Sequence, residues 1–156
     1  MGSRSRTALT AALVLTLALG LVAACGGSGS GSSGSSGGTV DVRLTDYDVI
    51  LSSASAPAGT VRFPIDNRGG FVHELLVVRT DLAVDRLPTT ADGRFDEQSP
   101  DVRVVASARD IAAGGTATIV RRLAAGGYYL ICNRPAESGD PLSHFAHGML
   151  SPFRVT

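Results

Sequence analysis

TATIVRRLAAGGYYLIC, residues 116–132, decides the fold. Thr116 to Leu123 alternates polar and apolar side chains, Ala125-Gly126-Gly127 is a turn signal, and Tyr128-Tyr129-Leu130-Ile131-Cys132 is an aromatic and β-branched run. A period of two puts successive side chains on opposite faces of an extended chain, so the stretch reads as two short strands about a tight turn. The same grammar continues outward. Upstream, Thr39 to Thr45 alternates with Val40, Val42 and Leu44 on one face, and Tyr47 to Leu51 is a second extended piece. Pro57-Ala58-Gly59 turns, Thr60 to Asp66 alternates through Val61, Phe63 and Ile65, and Asn67-Arg68-Gly69-Gly70 turns again. Phe71 to Val78 is a near-continuous apolar run broken by His73 and Glu74, which predicts a buried strand. Residues 80–101, rich in Asp, Pro, Thr and Gly, break the pattern, with room for one short helical turn between Asp81 and Leu87. Val102 to Ala106 is apolar, Ala113-Gly114-Gly115 turns, and Leu150 to Val155 is expected as a last, edge strand. No segment after residue 38 holds a helical period over three turns. The expectation is an all-β domain, an antiparallel Greek-key sandwich or barrel of seven or eight strands.

The N-terminus is of another kind. Arg4 and Arg6 precede an uncharged apolar run from Ala8 to Ala24, which ends in Val22-Ala23-Ala24-Cys25. A basic start, an apolar stretch and small residues before a cleavage point have the shape of a secretory signal over 1–24. The end of that run resembles the lipobox of bacterial lipoproteins, which implies that Cys25 becomes the first mature residue and carries the lipid. An uncleaved membrane anchor is the competing reading, since the run approaches the roughly 20 residues needed to span a bilayer. Either way the rest of the chain is expected outside the cytoplasmic membrane. Residues 26–38, GGSGSGSSGSSGG, have the composition of a flexible tether with a reach on the order of 20 Å. The folded part is then 39–156, long enough for one domain with its own core.

The 156 residues carry 14 arginines, no lysine and 14 acids, and without Arg4 and Arg6 the balance is 12 against 14. A chain with no net basic charge is not expected to have nucleic acid as its partner. If Cys25 is lipidated, Cys132 is the only thiol left, so no intrachain disulfide forms. A lone cysteine in an oxidising compartment is a liability unless buried or bound to something.

What it could bind follows from its neighbours. Leu142-Ser143-His144-Phe145-Ala146-His147-Gly148-Met149 lies just downstream, and His73 sits inside an earlier strand. Taken singly, His73 could be a core histidine, Cys132 a buried small hydrophobe and Met149 core packing. Together, two imidazoles and a thiolate with a weak axial thioether suit copper in both oxidation states, whereas zinc gains little from a thioether.

The segment from Gly127 to Asn133, with His144 to Met149 and the closing Phe153-Arg154-Val155, resembles the C-terminal copper loop of the cupredoxins, the type 1 blue copper proteins. His144 and Met149 are separated by four residues, as in that family's loop, and Gly148 precedes the methionine. His73, after the turn at 67–70, resembles the family's first histidine ligand. The resemblance covers 39–156 and implies a cupredoxin-like sandwich holding one copper ion by His73, Cys132, His144 and Met149. Two features depart from the pattern. Eleven residues separate Cys132 from His144, a long spacer containing Glu137 and Asp140. Glu74 follows His73 where many members have an asparagine that ties the two ligand segments together.

The implied function is that of a lipid-tethered, monomeric carrier of single electrons for a redox partner protein, at the outer face of the cytoplasmic membrane, and not an enzyme. His144 is expected to present its outer edge as the electron port, with Phe71, Phe145, Leu150 and Phe153 excluding water from the metal. His147 competes with His144 as a ligand, but the spacing to Met149 favours His144 and leaves His147 to solvent, docking or a pH response. Two alternatives remain at this stage. A surface copper store or chaperone would use the same ligands and open the 133–143 loop to release metal. A metal-free binding sandwich would simply bury Cys132. Arg121-Arg122 and the acids of 81–101 read as solvated faces or docking patches.

Overall fold

The computed structural model describes residues 37–135 and 137–156; the signal, Cys25 and most of the Gly/Ser stretch lie outside them. Nine strands form among the described residues: β1 Val42–Thr45, β2 Asp48–Leu51, β3 Ser55–Ala56, β4 Gly59–Asn67, β5 His73–Arg79, β6 Arg103–Ile111, β7 Thr116–Leu123, β8 Gly126–Ile131 and β9 Leu150–Val155. The short helical turn expected in 81–87 is a single 3-10 turn at Val84–Arg86.

Two sheets result, ordered β2-β1-β4-β7 and β3-β9-β8-β5-β6. After the β5–β6 pair in one sheet the chain returns to lay β7 beside β4 in the other, a Greek-key connection. Three expectations are corrected. The strand count is nine, because the two-residue β3 has too few residues to show a period. The sheets are not wholly antiparallel, because β1 pairs in parallel with β4 and β3 with β9. The last strand is not an edge, since β9 lies between β8 and β3.

The main core fills the space between the sheets. Val42, Leu44, Val61, Phe63 and Ile65 from one sheet meet Leu75, Val77, Leu130 and Phe153 from the other. A second cluster explains the continuous apolar run of β5. Leu76 and Val78, on its outer face, are covered by Leu87, Phe95 and Phe145. Residues 80–101, which carry no strand period, are the lid of that outer face, so β5 is apolar on both sides.

β5, β8 and β9 all reach one end of the sandwich. His73 begins β5, Cys132 follows β8, and Met149 precedes β9. That end holds the site.

Candidate metal centre

Local sequence sets each candidate side chain. His73 is fixed by pairing with Ile111 on β6. The Cys132 N–H donates to the Met149 carbonyl at 3.0 Å, extending the β8–β9 ladder by one bond. Between them, Ser143 to Met149 form one turn of helix-like backbone. The Ser143 hydroxyl accepts from the Ala146 N–H at 3.1 Å, in the manner of an N-cap. At the other end the Gly148 N–H donates to Phe145 and the Met149 N–H to His144, with Gly148 at φ +91°. This is a Schellman closure, which needs a left-handed residue and so explains the glycine before the methionine. The four-residue gap between His144 and Met149 is thus the length of one capped turn.

The turn delivers His144 to His73 and Cys132. His73 Nδ1 and His144 Nδ1 are 3.1 Å apart, and Cys132 Sγ is 3.7 Å and 3.5 Å from them. The point in their plane equidistant from all three lies about 2.0 Å from each, the length of a bond from imidazole nitrogen to a small divalent ion and a few tenths of an ångström inside that from thiolate sulfur. All three residues are fully buried, and they are the one histidine, cysteine and carboxylate group of metal-binding spacing among the described residues. Met149 is also fully buried and packs in the same core cluster as Cys132.

No family model matches this chain, and no curated protein matches it. Solved structures do. It is similar to the dithionite-reduced auracyanin of the photosynthetic bacterium Roseiflexus castenholzii, with 20% identity and a TM-score of 0.53 over 79% of this chain and 99% of that one. It is similar to auracyanin B, with 23% identity and a TM-score of 0.51 over 76% of this chain and 88% of that one. The rusticyanin of Thiobacillus ferrooxidans matches with 20% identity and a TM-score of 0.51 over 76% of each chain.

This is a cupredoxin fold.

Within that fold the surroundings of the site are this chain's own. Each imidazole has a carboxylate on its outer nitrogen. Glu137 Oε1 lies 3.1 Å from His144 Nε2. Asp46 Oδ1 lies 3.4 Å from His73 Nε2, which is buried and has no hydrogen-bond partner. A carboxylate beside Nε2 favours the proton there and frees Nδ1 as a ligand. Burial, then the neighbouring His144, holds the His73 pKa below its usual value, which keeps the ring neutral. Burial pushes the Cys132 thiol up to about 11, even though it accepts the Glu74 N–H at 3.4 Å. A thiolate here needs a cation beside it, which a bound metal supplies. A hydrophobic socket needs none of these features, so the donor set and the carboxylates beside its rings fit a metal.

Two expectations change at the surface of the site. His144 is not an exposed edge. It is fully buried because Tyr47, at the β1–β2 turn, meets its ring edge-on at 5.5 Å, with Glu137 on its outer nitrogen. His147, as expected, is exposed and outside the ligand group, but its ring is held at the surface. Its ring stacks on Tyr47 at 4.0 Å and its Nε2 lies 2.7 Å from Asp140 Oδ2, which also accepts the Tyr47 hydroxyl at 3.1 Å. The long spacer therefore folds its two acids inward onto the histidines. Of the four apolar shields expected, only Phe71 has its ring near His144, at 6.3 Å. Phe145 and Leu150 belong to the outer cluster, and Phe153 packs on Phe63 in the main core.

The tie missing at Glu74 is made by other residues. Glu74 and Glu97 each receive an Arg109 N–H at 2.7 Å, and Glu97 Oε1 accepts from the Asn133 amide at 3.0 Å. Asn133 brackets Phe95 through both backbone groups, at 2.8 and 2.9 Å. The chain of contacts joins the residue after His73 to the residue after Cys132. It depends on a bulge in β6. The register slips between the His73–Ile111 and Leu75–Ala108 pairs, with Asp110 at φ +55°, so Arg109 is re-aimed toward Glu74. Burial raises the Glu74 pKa and the Arg109 guanidinium opposes it. Sequence reading missed Asp46, Tyr47, Glu97, Arg109 and Asn133. Only their positions in space mark them, apart from Asn133, which follows the cysteine directly.

Proposed function

We propose that this chain is a type 1 copper protein that carries single electrons. The ligands are His73 Nδ1, Cys132 Sγ and His144 Nδ1, with Met149 as the weak axial donor. The observation behind this reading is the buried triangle of two nitrogens and one sulfur about a common point. Copper held there supplies a one-electron couple that soft sulfur and imidazole both tolerate. The chain's own residues do the rest. Glu137 holds the His144 ring in the ligating tautomer, Asp46 favours the same tautomer of His73 by its charge, the β5, β8 and β9 ladders fix the donor spacing, and Tyr47 keeps water from His144. A site that changes little between oxidation states transfers electrons with little rearrangement. Four side-chain donors, those of His73, Cys132, His144 and Met149, would surround the ion, which supports a carrier over an enzyme. The store-or-chaperone reading requires the 133–143 loop to open. That loop is fastened by the His144 N–H to the Arg134 carbonyl at 3.1 Å and by Glu137 and Asp140, which favours retention of the metal.

We further infer that Cys25 carries a lipid, that residues 25–38 tether the domain, and that it works as a monomer at the outer face of the cytoplasmic membrane with a protein redox partner. The lipobox-like end of the apolar run supports this.

Adding Cu(II) to the chain is expected to give an intense thiolate-to-copper band in the visible. Cys132→Ser abolishes the band, and Met149→Leu keeps the copper and shifts its potential. A Cys132→Ser protein that stays blue overturns the assignment.

A further inference from the structure

Strand direction sorts the charges of this domain between its two ends. His73, Cys132 and Asn67 lie at the metal end, while Gly59, Arg79, Arg103, Leu123 and Gly126 lie at the other. At the metal end three arginines are neutralised. Arg68 pairs with Asp66, Arg109 with Glu74 and Glu97, and Arg134 with Asp110. At the far end they are not. Arg79 and Arg103 face each other across β5 and β6, and Arg121 and Arg122 close β7. These four exposed arginines line one hollow with Tyr128. None of them has a carboxylate within ion-pair distance among the described residues, although Asp81 and Asp101 lie near that end of the chain. Arg79 donates to the Ala125 carbonyl at 3.3 Å and sits 5.9 Å from the Tyr128 ring, so it is held in place without being neutralised.

The tether arrives at the same end. Gly37 packs so closely on Thr60 that a Cβ there would collide with the Thr60 carbonyl, and the Gly38 carbonyl accepts the Arg62 N–H at 2.9 Å. Thr60 is the cross-strand neighbour of Arg122. Cys25 is only twelve residues upstream of Gly37.

We propose that the face formed by Arg79, Arg103, Arg121 and Arg122 docks on anionic phospholipid headgroups of the membrane that holds the chain, turning the metal end outward. The inference rests on the lipid anchor proposed above. Guanidinium groups bind phosphate oxygens in a bidentate fork, and an anionic surface attracts basic residues within a Debye length. The tether supplies the proximity, since a second contact made within one molecule needs little affinity of its own. The acids Asp46, Glu137 and Asp140 at the opposite end are repelled by the same surface, so attraction and repulsion turn the domain the same way.

The test uses the full lipidated chain on vesicles of phosphatidylcholine, with or without phosphatidylglycerol, and phenylglyoxal labelling of arginines read by mass spectrometry. Labelling at Arg79, Arg103, Arg121 and Arg122 is expected to slow roughly threefold on the anionic vesicles, with Arg68 unchanged, and to recover in high salt. Arg121→Gln with Arg122→Gln should remove the protection of Arg79 and Arg103 without moving the thiolate-to-copper band. Equal labelling on both vesicles overturns the docking face and leaves the arginines to an acidic protein partner. Sedimentation with pure phosphatidylcholine vesicles reads the anchor separately. A chain that leaves them but is bound and protected by anionic ones sinks the anchor and keeps the face. A chain bound by neither sinks both.

Discussion

The two imidazoles of the site are held in different ways. His73 opens a strand that has neighbours on both sides, and it is itself paired with Ile111 of β6, so its position is a property of the sheet backbone. His144 stands on a single capped turn in a loop, and its position is a sum of side-chain contacts. The Ser143 hydroxyl donates to the Gly93 carbonyl at 2.7 Å, Phe145 packs on Phe95 at 5.6 Å between ring centres, and Tyr47 and Glu137 close over the ring. Backbone ladders are shared among many residues and yield slowly to any one substitution. A loop held by a few side chains depends on each of them. The segment 80–101 matters most here, because Gly93, Phe95 and Glu97 all brace the loop side from outside the sandwich.

The largest expected break is Phe95→Ala. Phe95 is 1% exposed, and truncating a buried aromatic costs about 3–5 kcal/mol. Urea unfolding should show that loss, with the His144 side of the site disturbed before the β5 side. Gly69→Ala tests the strand side. A Cβ there would stand 2.7 Å from His73 Nε2 and collide with Asp46 Oδ1. Asp46 is partly exposed and can swing away, whereas the buried ring cannot. Overpacking of this kind costs about 1–3 kcal/mol. Metal affinity should fall and the visible band should move, and an unchanged band would show that the strand side gives as easily as the loop. The smallest effect is expected from Arg109→Gln, which unlinks the two sides. It leaves Glu74 buried without its cation, but Arg109 is half exposed and water softens the loss to about 1–2 kcal/mol. Its diagnostic readout is the copper potential, which should shift while Glu97→Gln shifts it the same way.

Much of this architecture was legible beforehand because it is local. Alternation marked β1, β4 and β7, the Gly-rich turns separated them, and the His144 to Met149 spacing is the length of one capped turn. The failures were equally physical. Ser107 to Ile111 carried no period because the β6 bulge shifts it by one residue, and the two-residue β3 is too short to have one. Residues 80–101 looked like loop because a lid on an outer sheet face needs only Leu87 and Phe95 as anchors. The buried state of His144 was missed because its cover, Tyr47, comes from the β1–β2 turn 97 residues earlier and is held there at φ +73°.

The sequence by itself determined the strands, the apolar faces and which residue types could hold a soft metal, since each depends on side chains a few positions apart. Tertiary structure alone decided that His73 meets Cys132 and His144, that a carboxylate stands beside the outer nitrogen of each ring, and that unpaired arginines gather at the end where the tether arrives. Those outcomes depend on register and crossing between sheets, which bring together residues whose separation along the chain carries no trace of their contact.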